Sequence, residues 1–226
     1  MDANQLLESY ESGERDFSRS QLRDINLTGA SLNEINLIEA DLDSANLELV
    51  RLIGAELNLV NLNNANLSGS ELCQVNLNGA SLNQATLSGT NLSEALLIEA
   101  NLSEANLVNA DLSEAFLTNA NLTKTNLSGA NLTKAFLQGA ILSGASLVGA
   151  NLSDADLTRA NLCDADLTDA NLSGANLTEA KLNWANICRV KLMGANLVGA
   201  YLATAKNIET VELNDVGNTK NGGFSV

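Results

Sequence analysis

The sequence predicts an all-β fold: a four-sided parallel β-helix, a solenoid of 20-residue coils with a short α-helical cap at its N-terminal end. Three observations predict it. A large apolar residue recurs at every fifth position from Phe17 to Leu202, 38 times without a slip, and it is Leu at all but Phe17 and Ile187. Two residues before it, from Arg15 to Ala200, Ala occupies 27 of the 38 units. Two residues after it stand 12 of the 16 glycines, from Gly29 to Gly199.

A period of five fits neither an α-helix at 3.6 nor a flat strand at 2. Ala and Leu sit two apart, so on an extended backbone they point the same way. Three outward residues then separate Leu from the next Ala, and the chain must turn there. The four residues Leu, Ser or Thr, Gly or another, Ala make a turn whose third position needs positive φ, which favours Gly or Asn. Turning every five residues closes a square after four units, or 20 residues. Coils then stack as parallel strands about 4.8 Å apart, and 38 units make about 9.5–10 coils in a rod of roughly 45 Å. Leu and Ala fill the interior, and the backbone of each coil pairs with the coils above and below.

Units such as ANLSGANLTEA at 170–180 resemble the pentapeptide repeat family, with its A(D/N)LXX consensus. The resemblance covers residues 15–204 and implies a right-handed quadrilateral β-helix. It is specific for the fold and not for a function, because the repeat encodes only the rod.

The ends follow from the need to blunt an open solenoid. Residues 3–12, ANQLLESYES, are predicted as a short helix with Asp2 as N-cap, with Leu6, Leu7 and Tyr10 on one face and Gly13 as terminator. The domain reading is 1–14 capping helix, 15–204 β-helix, and 205–226 a degenerate last coil and loose tail. The frame breaks at Asn207, where Leu is due, and a one-residue shift recovers Ile208, Val211 and Leu213. The segment LLESYESGERDF also resembles the helical cap of several cyanobacterial members of the family, sharing Leu7, Tyr10, Gly13, Arg15 and Phe17. That likeness implies a cyanobacterial-type member.

Composition narrows the function. The chain has no His, which removes the commonest general base and metal ligand. With only 3% aromatic residues, the core must be Leu and Ala. A net charge of −15 repels nucleic acid and anionic membrane and attracts basic partners, besides keeping a repetitive surface soluble. Cys73, Cys163 and Cys188 form no CxxC pair, so neither a zinc site nor a disulfide framework is expected. The N-terminus has no signal-peptide pattern and no stretch is long and apolar enough for a membrane span, so the expectation is a reducing, cytoplasmic protein. A filled rod offers no catalytic cleft, and no GxSxG, Walker, HExxH or Rossmann motif occurs. No catalytic, cofactor-binding or metal-binding residue is nominated, and no cofactor is expected.

Residues 20 apart stack on neighbouring coils, so outward columns can be read directly. One column runs Asn76, Leu96, Phe116, Phe136, Asp156: three large apolar rungs where Asn or Asp is usual. The same side carries Ile38, Leu59 and Ile98, rimmed by Glu39, Glu99, Asp156 and Arg159. This stripe reads either as a stacked ladder that stabilises the rod or as a protein-contact surface. A second column, starting at Asn26, Asn46 and Asn66, is an amide ladder, structural in character. The expected function is a non-enzymatic scaffold or protein-interaction module with another protein as partner, monomeric or dimeric. The family resemblance implies an alternative, an acidic rod that imitates DNA and acts on DNA gyrase. Such members usually carry Phe at the central core position or inserted loops, whereas this chain has Leu and 38 uninterrupted units.

Overall fold

The computed structural model describes residues 1–208. Helix α1, Ala3–Glu11, precedes a long succession of coils. Asp2 caps it through a reciprocal pair: the Gln5 amide donates to the Asp2 carboxylate at 2.9 Å, and the Asp2 amide donates to the Gln5 side-chain oxygen at 3.0 Å. Leu6 is fully buried, while Leu7 and Tyr10 pack half-buried against the first coil. The Tyr10 hydroxyl donates to the Asn33 carbonyl at 2.9 Å, and the Arg15 guanidinium lies 3.9 Å over the Tyr10 ring. The helix therefore covers part of the first coil's unpaired edge.

From Asp16 to Lys206 the chain is a β-helical solenoid. Parallel bridges join each residue of the outward polar position to its counterpart 20 residues later, from Asp16↔Asn36 to Asn186↔Lys206. Each coil has four such bridges and four turns. The parallel strands expected from the sequence are reduced to isolated bridges. Only two residues per unit stay extended before the chain turns, which leaves no room for a longer ladder. Lys206 keeps the frame, since its amide reaches the Ala185 carbonyl at 2.8 Å, and Ile208 packs on the core. The continuation expected at Val211 and Leu213, and the tail to Val226, fall outside the described residues.

One unit shows how the backbone is satisfied. Ala105 donates to Leu102 at 3.1 Å and closes the turn. Asn106 donates down to Ala85 at 2.9 Å, while Leu107 and Asn109 donate up to Asn126 and Ser128 at 2.7 and 3.0 Å. The fifth amide, Val108, has no backbone partner and donates instead to the Asn106 side-chain oxygen at 3.3 Å. This last bond recurs along the rod, from Ser18 with Asp16 to Val198 with Asn196. It explains the preference for Asn and Asp before Leu: the side chain supplies the one acceptor the coil lacks.

The interior is a column of Leu and Ala, most of them at 0–2% exposure. Where Ser70, Thr90 and Thr125 replace Ala, each buried hydroxyl donates to a Leu carbonyl 23 residues earlier, at 2.7–2.8 Å. No buried hydroxyl is left unmatched there.

Every turn from Arg19 to Gly199 holds its third residue at positive φ. The sequence predicts Gly or Asn for this conformation, yet Glu, Lys, Arg, Leu and Trp also adopt it, at φ between +55 and +63°. A side chain in this region costs about 1–2 kcal/mol. The turn amide bonded to the next coil and the buried Leu and Ala on either side impose the conformation regardless. Glycine relaxes to +64 to +72°.

Two substitutions test this. At Gly149 an added Cβ would meet nothing within 4 Å, so Gly149→Ala probes backbone conformation alone. It should lower stability by about 1 kcal/mol in urea denaturation. Ser44→Gly, from φ +60°, should leave stability unchanged or raise it by up to about 1 kcal/mol.

Candidate functional site

Bridges Leu96↔Phe116 and Phe116↔Phe136 place the three apolar rungs directly over one another. The two phenyl rings are stacked with centroids 4.7 Å apart and planes within 10°. That separation is the coil spacing itself, so the stack needs no side-chain distortion. Both rings remain 37% exposed and Ile98, beside Leu96, is 38% exposed, so the stack forms an open surface.

The other predicted members of the stripe lie further along the rod. Asn58 and Asn78 stand between Ile38 and Ile98 in their common column. Ile38 is half-buried and Leu59 is 60% exposed. Leu59 lies over Gly79, its Cδ2 2.7 Å from where a glycine Cβ would be built, which ties it to the next coil. The compact cluster is therefore Leu96, Ile98, Phe116 and Phe136.

Replacing Asn by Phe has a specific cost. With Phe at 116 and 136, no carboxamide stands two residues before Thr118 and Gln138. Their amides find no protein acceptor among the described residues, unlike those of Thr123 and Thr133 at 3.1 and 3.2 Å from Asn121 and Asn131. Such a bond is worth about 1 kcal/mol, and a stacked aromatic pair returns about 0.5–1.5 kcal/mol beyond the apolar area its rings bury. The pair therefore exchanges two side-chain hydrogen bonds for one stack and the apolar area its rings bury.

A polar rail flanks the rings. Thr118 donates to the Gln138 side chain at 2.9 Å, and Gln138 donates to Asp156 at 2.8 Å. Burial pushes the Asp156 carboxyl up, but hydrogen bonds from the Thr158 hydroxyl and amide and from Gln138 more than reverse this, holding it below 3.8. Asp156 is thus firmly ionised at the end of the stack. The nearby bases are engaged: Lys134 with Glu114 at 3.3 Å and Arg159 with Glu179 at 2.7 Å.

Ile141, 42% exposed, sits one corner from Phe136 on the adjacent side. The sequence reading did not include it. Its signal was present, an apolar residue in the column Asn121, Ile141, Asn161, but on a different column from the stripe. The amide ladder starting at Asn26 is present in short runs, as in Asn66 to Asn46 at 3.3 Å and Asn186 to Asp166 at 3.0 Å. The three cysteines are half-buried and unpaired with one another. A groove of about 540 Å3 separates α1 from the first coil, and its Arg15 is bound to the Tyr10 carbonyl at 2.8 Å.

The double substitution Phe116→Asn with Phe136→Asn should keep the cooperative urea transition and shift stability by no more than about 2 kcal/mol, since two side-chain acceptors offset the loss of one stack and its buried ring area. Asp156, with its folded pKa lowered, contributes stability above pH 3.8 that is lost as pH falls through the folded value. The difference in urea midpoint between parent and Asp156→Asn should hold above about pH 5 and vanish in stronger acid.

Among the described residues no helix is long and apolar enough to cross a membrane. Comparison with curated proteins gives no match. Among solved structures, the chain is similar to HetL from the cyanobacterium Nostoc sp. strain PCC 7120, a pentapeptide repeat protein involved in heterocyst differentiation regulation. The two are 38% identical over 91% of this chain and 94% of that one, with a TM-score of 0.74. It is also similar to full-length QnrB1, a plasmid-mediated fluoroquinolone resistance protein, at 14% identity over 83% of this chain and 90% of that one, with a TM-score of 0.56; this likeness is one of fold alone. The family model for pentapeptide repeats matches in overlapping copies from residue 16 to residue 206, and the chain belongs to the pentapeptide repeat family.

Proposed function

We propose that the chain is a non-enzymatic, rod-shaped protein-interaction module whose contact face is the cluster of Leu96, Ile98, Phe116 and Phe136. One observation carries this reading: the exposed phenyl stack replaces two ladder carboxamides, removes the acceptors of the Thr118 and Gln138 amides, and leaves an open apolar patch on a polar face. A contiguous exposed apolar patch that leaves two amides without acceptors fits a role outside the rod. The described outward surface is assembled from flat coils, and the interior is filled with Leu and Ala, which leaves no enclosed space for substrate chemistry. The finer geometry proposed is a right-handed quadrilateral β-helix of 9.5–10 coils. Similarity to a cyanobacterial protein involved in regulation supports a regulatory role and a cyanobacterial-type member.

A second reading, an acidic rod acting on DNA gyrase, rests on the net charge of −15 and the stacked-coil form. The two make opposite demands on the phenyl stack. In pull-downs from native cell extract, a partner captured by the parent should be lost by Phe116→Asn with Phe136→Asn. Retention of every captured partner by the double variant counts against the contact face. Inhibition of gyrase supercoiling at micromolar protein, unchanged in the double variant, would favour the second reading.

A further inference from the structure

Building on that contact face, we infer that its partner presents a short basic segment: one or two large apolar side chains flanked by Lys or Arg. The size of the face comes first. Leu96, Phe116 and Phe136 are three rungs, about 10 Å end to end, the length of three or four extended residues. A folded domain needs about 800 Å2 on each side for a stable contact, far more than two partly exposed rings, Leu96 and Ile98 provide. The cluster therefore suits the apolar anchors of a peptide-like segment.

Charge decides what surrounds those anchors. Glu94 and Glu114 precede the Leu96 and Phe116 rungs, Glu99 follows Leu96 beyond Ile98, and Asp154 and Asp156 close the far end. Lys134 and Arg159, the bases on this stretch, are already paired with Glu114 and Glu179. The rim thus keeps uncompensated negative charge around an apolar centre, within a chain of net charge −15. Basic flanks would gain from this field in both encounter rate and register. A second copy of this chain would bring the same carboxylates against themselves, which disfavours a symmetric contact through this face.

The test is selection of a random-peptide display library on the purified chain, with counter-selection on the Phe116→Asn/Phe136→Asn variant. Enriched peptides are synthesised and their binding measured by fluorescence anisotropy. Circular dichroism and urea midpoints confirm that each variant is folded. The inference expects peptides with aromatic or large aliphatic residues beside two or more Lys or Arg. Binding should weaken at least about thirtyfold on Phe116→Asn/Phe136→Asn, as for loss of a central anchor. It should weaken severalfold on Glu99→Gln/Asp156→Asn and again on raising salt from about 50 to about 200 mM. Enrichment of neutral or acidic peptides, binding that ignores salt, or no enrichment at all overturns it. So does light scattering that shows a dimer abolished by Phe116→Asn/Phe136→Asn. If native partners are lost on that variant while the peptides selected are not basic, the contact face stands and only the partner chemistry fails.

Discussion

The structure depends on vertical register: each residue stands over its counterpart 20 positions earlier. Amides and carbonyls of successive coils meet at 2.6–3.2 Å on all four sides of the coil, and a shift of one residue would exchange inward Leu for outward polar residues throughout. That constraint accounts for the uninterrupted spacing of five from Phe17 to Leu202. It also explains the small residue at most corners. Ala, or Ser and Thr whose hydroxyls turn back onto a Leu carbonyl, lets the four walls approach closely enough for Leu to fill the centre. Stability then accrues coil by coil through nearest-neighbour contacts, and α1 serves the first coil's edge.

Register has a local cost that the repeat accepts at every corner. A left-handed residue is needed at each turn, and most turns fill it with side chains that resist it. The same corner leaves one amide without a backbone partner, and Asn or Asp before Leu supplies it. The repeat consensus is thus three physical requirements written in five letters: a small inward residue, an acceptor for the unpaired amide, and a filling Leu. The remaining two positions turn the chain, and the second of them is held at positive φ, where Gly is frequent. Ion pairs gather there between coils, such as Arg19–Glu39 and Arg189–Asp169, where exposure keeps their individual contributions small.

Much of this was legible before any coordinates. Spacing alone gave the coil, the columns and the stacking of Phe116 on Phe136, because a repeat without insertions turns sequence distance into spatial distance. Asp2, Leu6 and Tyr10 were readable as a cap by helical spacing and capping chemistry. Less legible were features set by tertiary context. Glu, Lys and Trp at positive φ contradict local preference, and only the bonds to adjacent coils explain them. The double duty of Asn, acceptor for its own amide two residues on and occasional donor to the coil below, needs atomic positions to separate. The stripe was readable as a column, but Leu59 folding over Gly79 depends on side-chain direction, which spacing does not specify. Ile141 belongs to a different column and comes near Phe136 only around a corner.

Inside and outside are nearly independent in this architecture, and that is what makes the phenyl stack informative. Ala115, Leu117, Ala135 and Leu137 are fully buried and keep the consensus, so the rings change nothing inside the rod. In most other units the outward position before Leu is Asn or Asp, whose side chain serves that amide, although Arg51, Glu56, Glu71, Ile141 and Lys191 also stand there. At 116 and 136 that service is given up on two consecutive coils, in vertical alignment, beside a carboxylate held ionised by its own hydrogen bonds. Three large apolar rungs in one column, two of them stacked rings that leave an amide without an acceptor, are the pattern expected where an external surface rather than the coil sets the residue.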